Sequence, residues 1–271
     1  MKDEVDRGTT PGGSLAFDRA AEYYDETRQV GEAAMTQTVV LLEAELSGRG
    51  RVLEIGVGTG LLALPLAARG LRLTGVDLSL PMMRKLVEKS GSRAPLPLVR
   101  GDATRLPFRD DAFGGAYARW VLHLVPAWRD VVGELCRVAR PGSRILIEAG
   151  GNIGPWEAMH RRFQEITGGD MGPVGLDVRA GFGELDATFA EHGATFRALP
   201  ERIVAVDDPV SVQGFLDRVE RRVYSWTWRV SDEDIQRAIA EIRPWAEEHW
   251  GRLDVPLDTE HPMLWRAYDL A

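Results

Sequence analysis

The chain has a single cysteine, Cys136, among 271 residues, so it cannot form an internal disulfide. Cys136 falls in an apolar helical pattern, where a small buried hydrophobe is its expected role. Lysine is nearly absent, occurring only as Lys2, Lys85 and Lys89. The 33 basic residues are outnumbered by 41 acidic ones, for a formal net charge of −8. There is no long run of like charge, and arginines pair only briefly, as in Arg161-Arg162 and Arg221-Arg222. A nucleic-acid groove needs a denser basic stripe, so nucleic acid is not an expected partner. No stretch approaches the roughly 18 consecutive apolar residues of a membrane span. The opening "MKDEVDRGTTPGGS" lacks the apolar region of a secretion signal. The expectation is a soluble, cytoplasmic protein. Three catalytic signatures are also missing: the G-x-S-x-G elbow, the H-E-x-x-H pair and the G-x-x-x-x-G-K-S/T phosphate loop.

What is present is ordinary globular composition, 44% hydrophobic and 27% charged, enough for a sizeable core in one domain or a domain with a lid. Residues 1–14 read as a mobile polar tail. "LAFDRAAEYYDETRQV" and "GEAAMTQTVVLLEAELSG" read as two helices, the second with Met35, Val39, Leu42 and Leu46 on one face and Gly48 as its stop. From Arg51 strand and helix alternate through "RVLEIG", "GLLALPLAARG", "LRLTGVDL", "LPMMRKLVEKSG", "LPLVRGD", "AFGGAYARW", "AWRDVVGELCRVARPG" and "SRILIEAG". The last helix is expected to end at Pro141-Gly142. This alternation predicts a parallel sheet with helices on both faces.

After Gly150 the rhythm breaks. "WEAMHRRFQEI" and "ELDATFAEHG" read as helices, "ATFRALPERIVAV" as one strand and "HPMLWRAYDLA" as the last strand. The segment between those two strands is too long for a plain hairpin loop. Its first part starts at Asp208-Pro209 and carries Val212, Phe215, Val219 and Val223 on one face. Its second part starts at Ser231 with Asp234 three residues on, a capping-box spacing, and contains Pro244, which should kink it. Segments 151–183 and 207–258 together predict a helical lid over the carboxyl ends of the strands, within a single domain spanning residues 15–271.

The functional signal is "VLEIGVGTG", where Gly56, Gly58 and Gly60 alternate just after an apolar strand. Open α/β sheets bind ligands beyond the carboxyl ends of their strands, and glycine lets a ligand approach the backbone closely. The dinucleotide fingerprint G-x-G-x-x-G would need a glycine at position 61, where this chain has Leu61. The G-x-G-x-G pattern preceded by Glu54 resembles the first motif of class I S-adenosylmethionine-dependent methyltransferases. The resemblance runs on through Asp77 at the end of the second strand, "GDATRLPF", "LPFRDDAFGGAYARWVLHLV" and "ELCRVARPGSRILIEA". "FDRAAEYYDETR" resembles the first helix of the branch that includes the ubiquinone and menaquinone C-methyltransferases. Five motifs in order, over roughly residues 15–150, carry the likeness.

The resemblance implies a Rossmann-like, mostly parallel seven-stranded α/β sheet and S-adenosylmethionine as cofactor, released as S-adenosylhomocysteine. It implies that Gly56, Gly58 and Gly60 make room for the cofactor, that Asp77 takes the ribose hydroxyls, and that Asp102, beside Ala103, accepts from the adenine amino group. Glu54 would lie near the methionine part, Leu78 and Met82 would flank the adenosine, and Arg119 would adjoin the cofactor. Tyr24 and Arg28 form a Y-D-x-x-R pattern that could close over it, Arg28 pairing with the methionine carboxylate. Each assignment has a structural alternative: a tight turn for the glycines, a helix cap for Asp77, a turn cap for Asp102, a solvated face for Arg28.

Methyl transfer demands positioning more than a catalytic triad, because the sulfonium is already a strong electrophile. Where an acceptor must lose a proton, His123 is the candidate base, since histidine titrates near neutrality; it could equally line the pocket without proton transfer. Trp120, Trp156, Tyr224, Trp226 and Trp228, together with His123, are the candidate substrate-binding residues. Tyr224, Trp226 and Trp228 alternate as strand residues on one face would. They suit a flat or apolar small molecule, or else they pin the lid to the sheet. Glu157 and His160 lie a helical turn apart, but two ligands are too few for a metal site, and no metal is expected. Two other functions fit parts of the pattern: a non-catalytic cofactor-binding sensor or scaffold, and a nicotinamide-dependent oxidoreductase. A nucleic-acid methyltransferase is disfavoured by the charge and by "ARWV" where some such families carry N/D-P-P-Y/F.

Overall fold

A computed structural model describes residues 13–27, 31–148, 156–169, 172–179, 181–200, 202–205, 209–257 and 260–271. Most of the polar tail, Arg28 and Asp208 lie outside the described residues. The alternating half of the chain forms β1 (Arg51–Ile55), α3 (Ala63–Ala68), β2 (Arg72–Asp77), α4 (Leu80–Lys89), β3 (Leu98–Arg100), β4 (Phe113–Arg119), α5 (Trp128–Val138) and β5 (Ala139–Glu148). Ahead of it come α1 (Tyr24–Thr27) and α2 (Glu32–Leu46). Behind it come α6 (Glu157–Thr167), α7 (Gly183–Glu191), β6 (Ala194–Ala198), β7 (Arg202–Ala205), α8 (Val212–Glu220), α9 (Asp232–Trp250), β8 (Glu260–Met263) and β9 (Trp265–Leu270).

The main sheet has seven strands in the order β3-β2-β1-β4-β5-β9-β6. All neighbouring pairs from β3 to β5 are parallel, and β9 runs antiparallel to both β5 and β6. Both faces are apolar, as a covered parallel sheet requires. Leu53, Ala116 and Ile145 face a core shared with α5 and α7. Their chain neighbours Val52, Tyr117 and Leu146 face a second core shared with α2, α3 and α4. The chain leaves β1 in one direction to build β2 and β3, then returns to β4 on the other side. The crevice at that reversal is where ligands bind in such sheets.

A third core lies outside the sheet. Met159 and Phe163 of α6, Val212, Phe215 and Val219 of α8, and Ile235 and Ile242 of α9 bury one another. Ser211 caps α8 by accepting from Gly214 N–H at 3.1 Å. Ser231 caps α9, accepting from Asp234 N–H at 3.1 Å while its hydroxyl bonds the Asp234 carboxylate. Pro244 sits inside α9, which continues through it to Trp250.

Several expectations need correction. The predicted first helix is only a 3-10 turn at Asp18–Ala20 followed by the four residues of α1. Tertiary contacts override helical propensity there: Leu15 N–H bonds Leu124 O, and Phe17 packs against Trp228. Helix α5 stops at Val138 rather than at Pro141-Gly142, which lie within β5. "ATFRALPERIVAV" is two strands: β6 joins the main sheet, whereas β7 pairs with β8 in a separate two-stranded sheet. Pro200, lacking an N–H, lies between them. "HPMLWRAYDLA" divides in the same way into β8 and β9.

Candidate active site

A cavity of about 360 Å³ opens at the carboxyl ends of β1, β2, β4 and β5. Of the residues singled out in the sequence, Tyr24, Gly56, Gly58, Asp77, Leu78, Met82, Asp102, Ala103, Arg119, Trp120, His123 and Tyr224 line it.

The three glycines have three different environments. All have positive φ, 69° at Gly56, 53° at Gly58 and 80° at Gly60. A Cβ at Gly56 would lie 2.4 Å from Val121 Cγ2, so that glycine lets the tips of β1 and β4 close together. A Cβ at Gly60 would lie 2.7 Å from Leu86 Cγ, so that glycine serves packing on α4 and does not line the cavity. A Cβ at Gly58 would meet Met82 Cε at 3.4 Å and Gly56 O at 3.8 Å, both ordinary contacts. Of the two glycines of this turn that line the cavity, Gly56 and Gly58, it is at Gly58 that a side chain would meet no clash within the protein.

Asp77 ends β2 beside that glycine. Its Oδ2 accepts from Gly58 N–H at 2.8 Å and its Oδ1 from Ser79 N–H at 2.8 Å. The carboxylate also lines the cavity, and a carboxylate oxygen can accept more than one donor. Burial pushes the carboxyl up to about 6, while the Ser79 and Gly58 N–H groups pull it down. The cap of α4 is not Asp77 but Ser79, whose Oγ accepts from Met82 N–H at 3.2 Å. Asp102 uses one oxygen, Oδ1, for Thr104 N–H at 2.9 Å and Thr104 Oγ1 at 2.8 Å. Capping a turn therefore leaves its other oxygen for a ligand.

Glu54 does not line the cavity. It is buried beneath the glycine turn, where Tyr117 donates its hydroxyl to Glu54 Oε2 at 2.6 Å. Burial pushes the carboxyl up to about 8, against the pull of the Tyr117 hydroxyl, and pushes the Tyr117 hydroxyl well above its ordinary range.

The tryptophans separate. Ser225–Arg229 is a 3-10 helix rather than the alternating strand expected; the Tyr224 and Trp226 rings stack with centroids 6.1 Å apart, while Trp228 turns away toward Phe17. Tyr224 reaches the cavity. Trp226 and Trp156 belong to the third core, Trp156 stacking on Phe215 at 4.8 Å. Trp228 meets Phe17 edge-on at 4.9 Å and donates Nε1–H to Arg222 O at 2.8 Å. Trp120 lines the cavity with φ +56°, a backbone that non-glycine residues rarely adopt. Its N–H donates to Glu148 O at 2.8 Å, and its ring carries the Arg119 guanidinium 4.1 Å from the centroid. Glu157 pairs with Arg161, and His160 packs edge-on against Phe215 and Trp226. No cluster of three metal-ligating side chains occurs among the described residues.

The sequence reading missed Leu15, Phe17, Glu148, Ser225 and Leu264, which also line the cavity. Glu148 carried a usable signal, a lone carboxylate closing an apolar strand. Phe17 and Leu264 carried none, because only tertiary packing brings them there.

A protein-family profile described as "Methyltransferase domain" matches residues 53–147. A phosphatidylethanolamine N-methyltransferase of Cereibacter sphaeroides is 36% identical over 137 residues, 49% of this chain and 66% of that protein. A demethylmenaquinone methyltransferase of Streptomyces avermitilis is 34% identical over 134 residues, 48% of this chain and 57% of that protein. The match thus spans less than two thirds of either relative. Among solved structures, the YcgJ protein from Bacillus subtilis superposes with a TM-score of 0.58 at 17% identity, covering 89% of this chain and 99% of that one. The strand order and the glycine turn agree with the matched methyltransferase domain, and over that region the chain is similar to class I S-adenosylmethionine-dependent methyltransferases.

Proposed function

We propose that this chain transfers a methyl group from S-adenosylmethionine to a small-molecule acceptor. The observation that carries this reading is that Gly58, Asp77 and Asp102 present bare backbone and free carboxylate lone pairs to one cavity, and His123, Trp120 and Tyr224 line that same cavity. The donor set fits the cofactor. Three carboxylates, Asp77, Asp102 and Glu148, line the cavity against one arginine, Arg119. That balance suits a cationic sulfonium. A carboxylate ending β2 serves the ribose of a nicotinamide dinucleotide equally well, and it is Leu61 in place of the third fingerprint glycine that counts against that cofactor.

When bound, S-adenosylmethionine supplies an electrophilic methyl group open to in-line displacement. The chain's own residues hold and orient. Asp77 receives the ribose hydroxyls on its remaining lone pairs, and Asp102 receives the adenine amino group on Oδ2. Leu78 and Met82 flank the adenosine, and Tyr24 closes over it. Held alignment of two reactants can remove about 7–11 kcal/mol of barrier. Leu15 and Phe17 from the N-terminal segment, and Tyr224 from the turn after α8, wall the cavity and exclude water. The α6–α8–α9 bundle acts as the lid that carries that turn. His123 takes the proton of an acceptor that must lose one.

The two relatives, named for phosphatidylethanolamine and for demethylmenaquinone, match at 36% and 34% identity, so they do not select an acceptor. The test is calorimetric titration of S-adenosylmethionine, S-adenosylhomocysteine and NAD into wild type and Asp77→Ala, followed by a screen for S-adenosylhomocysteine production. Micromolar binding of the first two, weakened by the substitution, together with product formation supports the reading. Binding without turnover across a broad acceptor panel would favour a sensor or scaffold. Absence of binding would sink both.

A further inference from the structure

The cavity contains a buried ion pair whose outward side is unused. Arg119 and Glu148 are the last residues of β4 and β5 and face each other in register. Their side chains are only 8% and 3% exposed, yet both line the cavity. The pair is single-pronged. Arg119 Nε donates to Glu148 Oε2 at 2.7 Å, and no donor among the described residues reaches Oε1. The guanidinium is held in place by the Trp120 ring, and the strand tip that carries the carboxylate is tied through Trp120 N–H to Glu148 O.

A carboxylate on a side chain this enclosed, with a single donor on one oxygen and the cavity beside it, has room to accept a further donor from a ligand. Arg119 neutralises the charge, so the oxygen demands a hydrogen-bond donor rather than a second full cation. Four aromatic side chains, Phe17, Tyr24, Trp120 and Tyr224, line the same cavity. Resting on the methyltransferase reading above, we propose that Glu148 is the acceptor-positioning residue, its Oε1 accepting from an O–H or N–H group on an aromatic or otherwise flat methyl acceptor. Arg119 fixes the carboxylate, and Glu148 orients the heteroatom that takes the methyl group. The site therefore selects proton-bearing oxygen or nitrogen acceptors over purely carbon ones. The methionine ammonium of the cofactor offers the same donor chemistry, and the experiment separates the two sources.

The probes are 4-ethylphenol, 4-ethylaniline and ethylbenzene, all neutral near pH 7, titrated into S-adenosylhomocysteine-saturated protein and followed by tryptophan fluorescence. In wild type the two donor-bearing probes should bind at least tenfold more tightly than ethylbenzene. Glu148→Gln keeps an oxygen acceptor and should retain part of the preference. In the double variant Arg119→Met/Glu148→Leu, which leaves no unpaired buried charge, the preference should vanish. S-adenosylhomocysteine affinity should change less than threefold in Glu148→Gln. Equal binding of all three probes to wild type, or a preference surviving in the double variant, would overturn the proposal. So would a tenfold loss of S-adenosylhomocysteine affinity in Glu148→Gln, which would give Oε1 to the methionine ammonium. Failure of wild type to bind S-adenosylhomocysteine at all would instead remove the underlying methyltransferase reading.

Discussion

The Gly58 N–H donates to Asp77 Oδ2 at 2.8 Å, so the turn after β1 and the tip of β2 share one carboxylate. The same oxygen pair that holds the turn also lines the cavity, so Asp77 links local structure to ligand binding. Hydrogen bonds to a charged group contribute about 1.5–3 kcal/mol. Asp77→Ala should therefore weaken S-adenosylhomocysteine binding about ten- to a hundredfold. Burial raises this carboxyl to about 6, and ribose hydroxyls are best received by the ionised form. Affinity in wild type should fall as pH drops through 6, and Asp77→Asn should be weaker but nearly flat from pH 5 to 8. Calorimetry at three pH values measures this. A pH-independent wild type would remove Asp77 from the ribose.

The three glycines should separate stability from binding. Alanine at Gly56 or Gly60 meets Val121 or Leu86 well inside contact distance, in addition to the strain of positive φ. Each should destabilise the fold by about 2 kcal/mol or more, combining overpacking with about 1–2 kcal/mol of left-handed strain. Gly58→Ala meets Met82 Cε at 3.4 Å and Gly56 O at 3.8 Å without a clash, so its stability loss should stay near the strain alone. Its S-adenosylhomocysteine affinity should nevertheless fall at least tenfold, because the new methyl occupies the cavity floor. Urea denaturation beside calorimetry on the three variants decides it. The idea fails if Gly58→Ala binds like wild type.

Glu54 and Tyr117 predict an unusual pH dependence of stability. Burial raises the Glu54 carboxyl from its ordinary value to about 8. A raised carboxyl stabilises the fold fully below about pH 4.5, and that contribution is lost as pH climbs toward 8. Glu54→Gln stays neutral throughout and keeps an oxygen for the Tyr117 hydroxyl. Near pH 5 the variant should match wild type within about 1 kcal/mol. By pH 9 it should be the more stable of the two by a few kcal/mol, since a tenfold change in proton affinity between folded and unfolded chain corresponds to about 1.4 kcal/mol. Unfolding curves at pH 5, 7 and 9 test the sign. A constant difference would mean that Glu54 ionises normally.

The side of the cavity formed by Gly56, Gly58, Asp77 and Asp102 was legible in the sequence because local chemistry encodes it. Glycines after an apolar strand, and Asp77 and Asp102 closing or following later strands, sit where short-range geometry puts them. Alternating strand and helix periods announced β1 to β5 for the same reason. The opposite wall was legible only in part: Trp120, His123 and Tyr224 were named from the sequence, but Leu15, Phe17 and Leu264 come from distant segments and were not. Phe17, Tyr224 and Leu264 converge only through folding. The alternation of Tyr224, Trp226 and Trp228 was a true pattern misread. A 3-10 helix leaves Tyr224, at the cavity wall, stacked on Trp226 against the third core, and sends Trp228 to the N-terminal segment. Single-sequence periodicity cannot tell such a short helix from a strand when tertiary packing decides the outcome.

That N-terminal segment is fastened on both sides of the cavity. Leu15 N–H bonds Leu124 O at 3.1 Å, Phe17 meets Trp228 at 4.9 Å, and Arg19 lies 5.2 Å over the same indole. At its far end Asp25 receives Thr59 of the glycine turn and Lys89 of α4, the latter at 2.6 Å. Phe17 both lines the cavity and joins the segment to the α8–α9 turn, so it should govern ligand release. An aromatic pair contributes about 0.5–1.5 kcal/mol beyond its burial, or roughly a two- to twelvefold change in an equilibrium. Phe17→Ala should accelerate S-adenosylhomocysteine dissociation by about that factor in stopped-flow fluorescence, with little change in association. S-adenosylhomocysteine should protect the Arg19 peptide bond from trypsin in wild type and protect it less in the variant. An unchanged dissociation rate, with equal protection in both proteins, would mean that the segment packs beside the ligand without covering it.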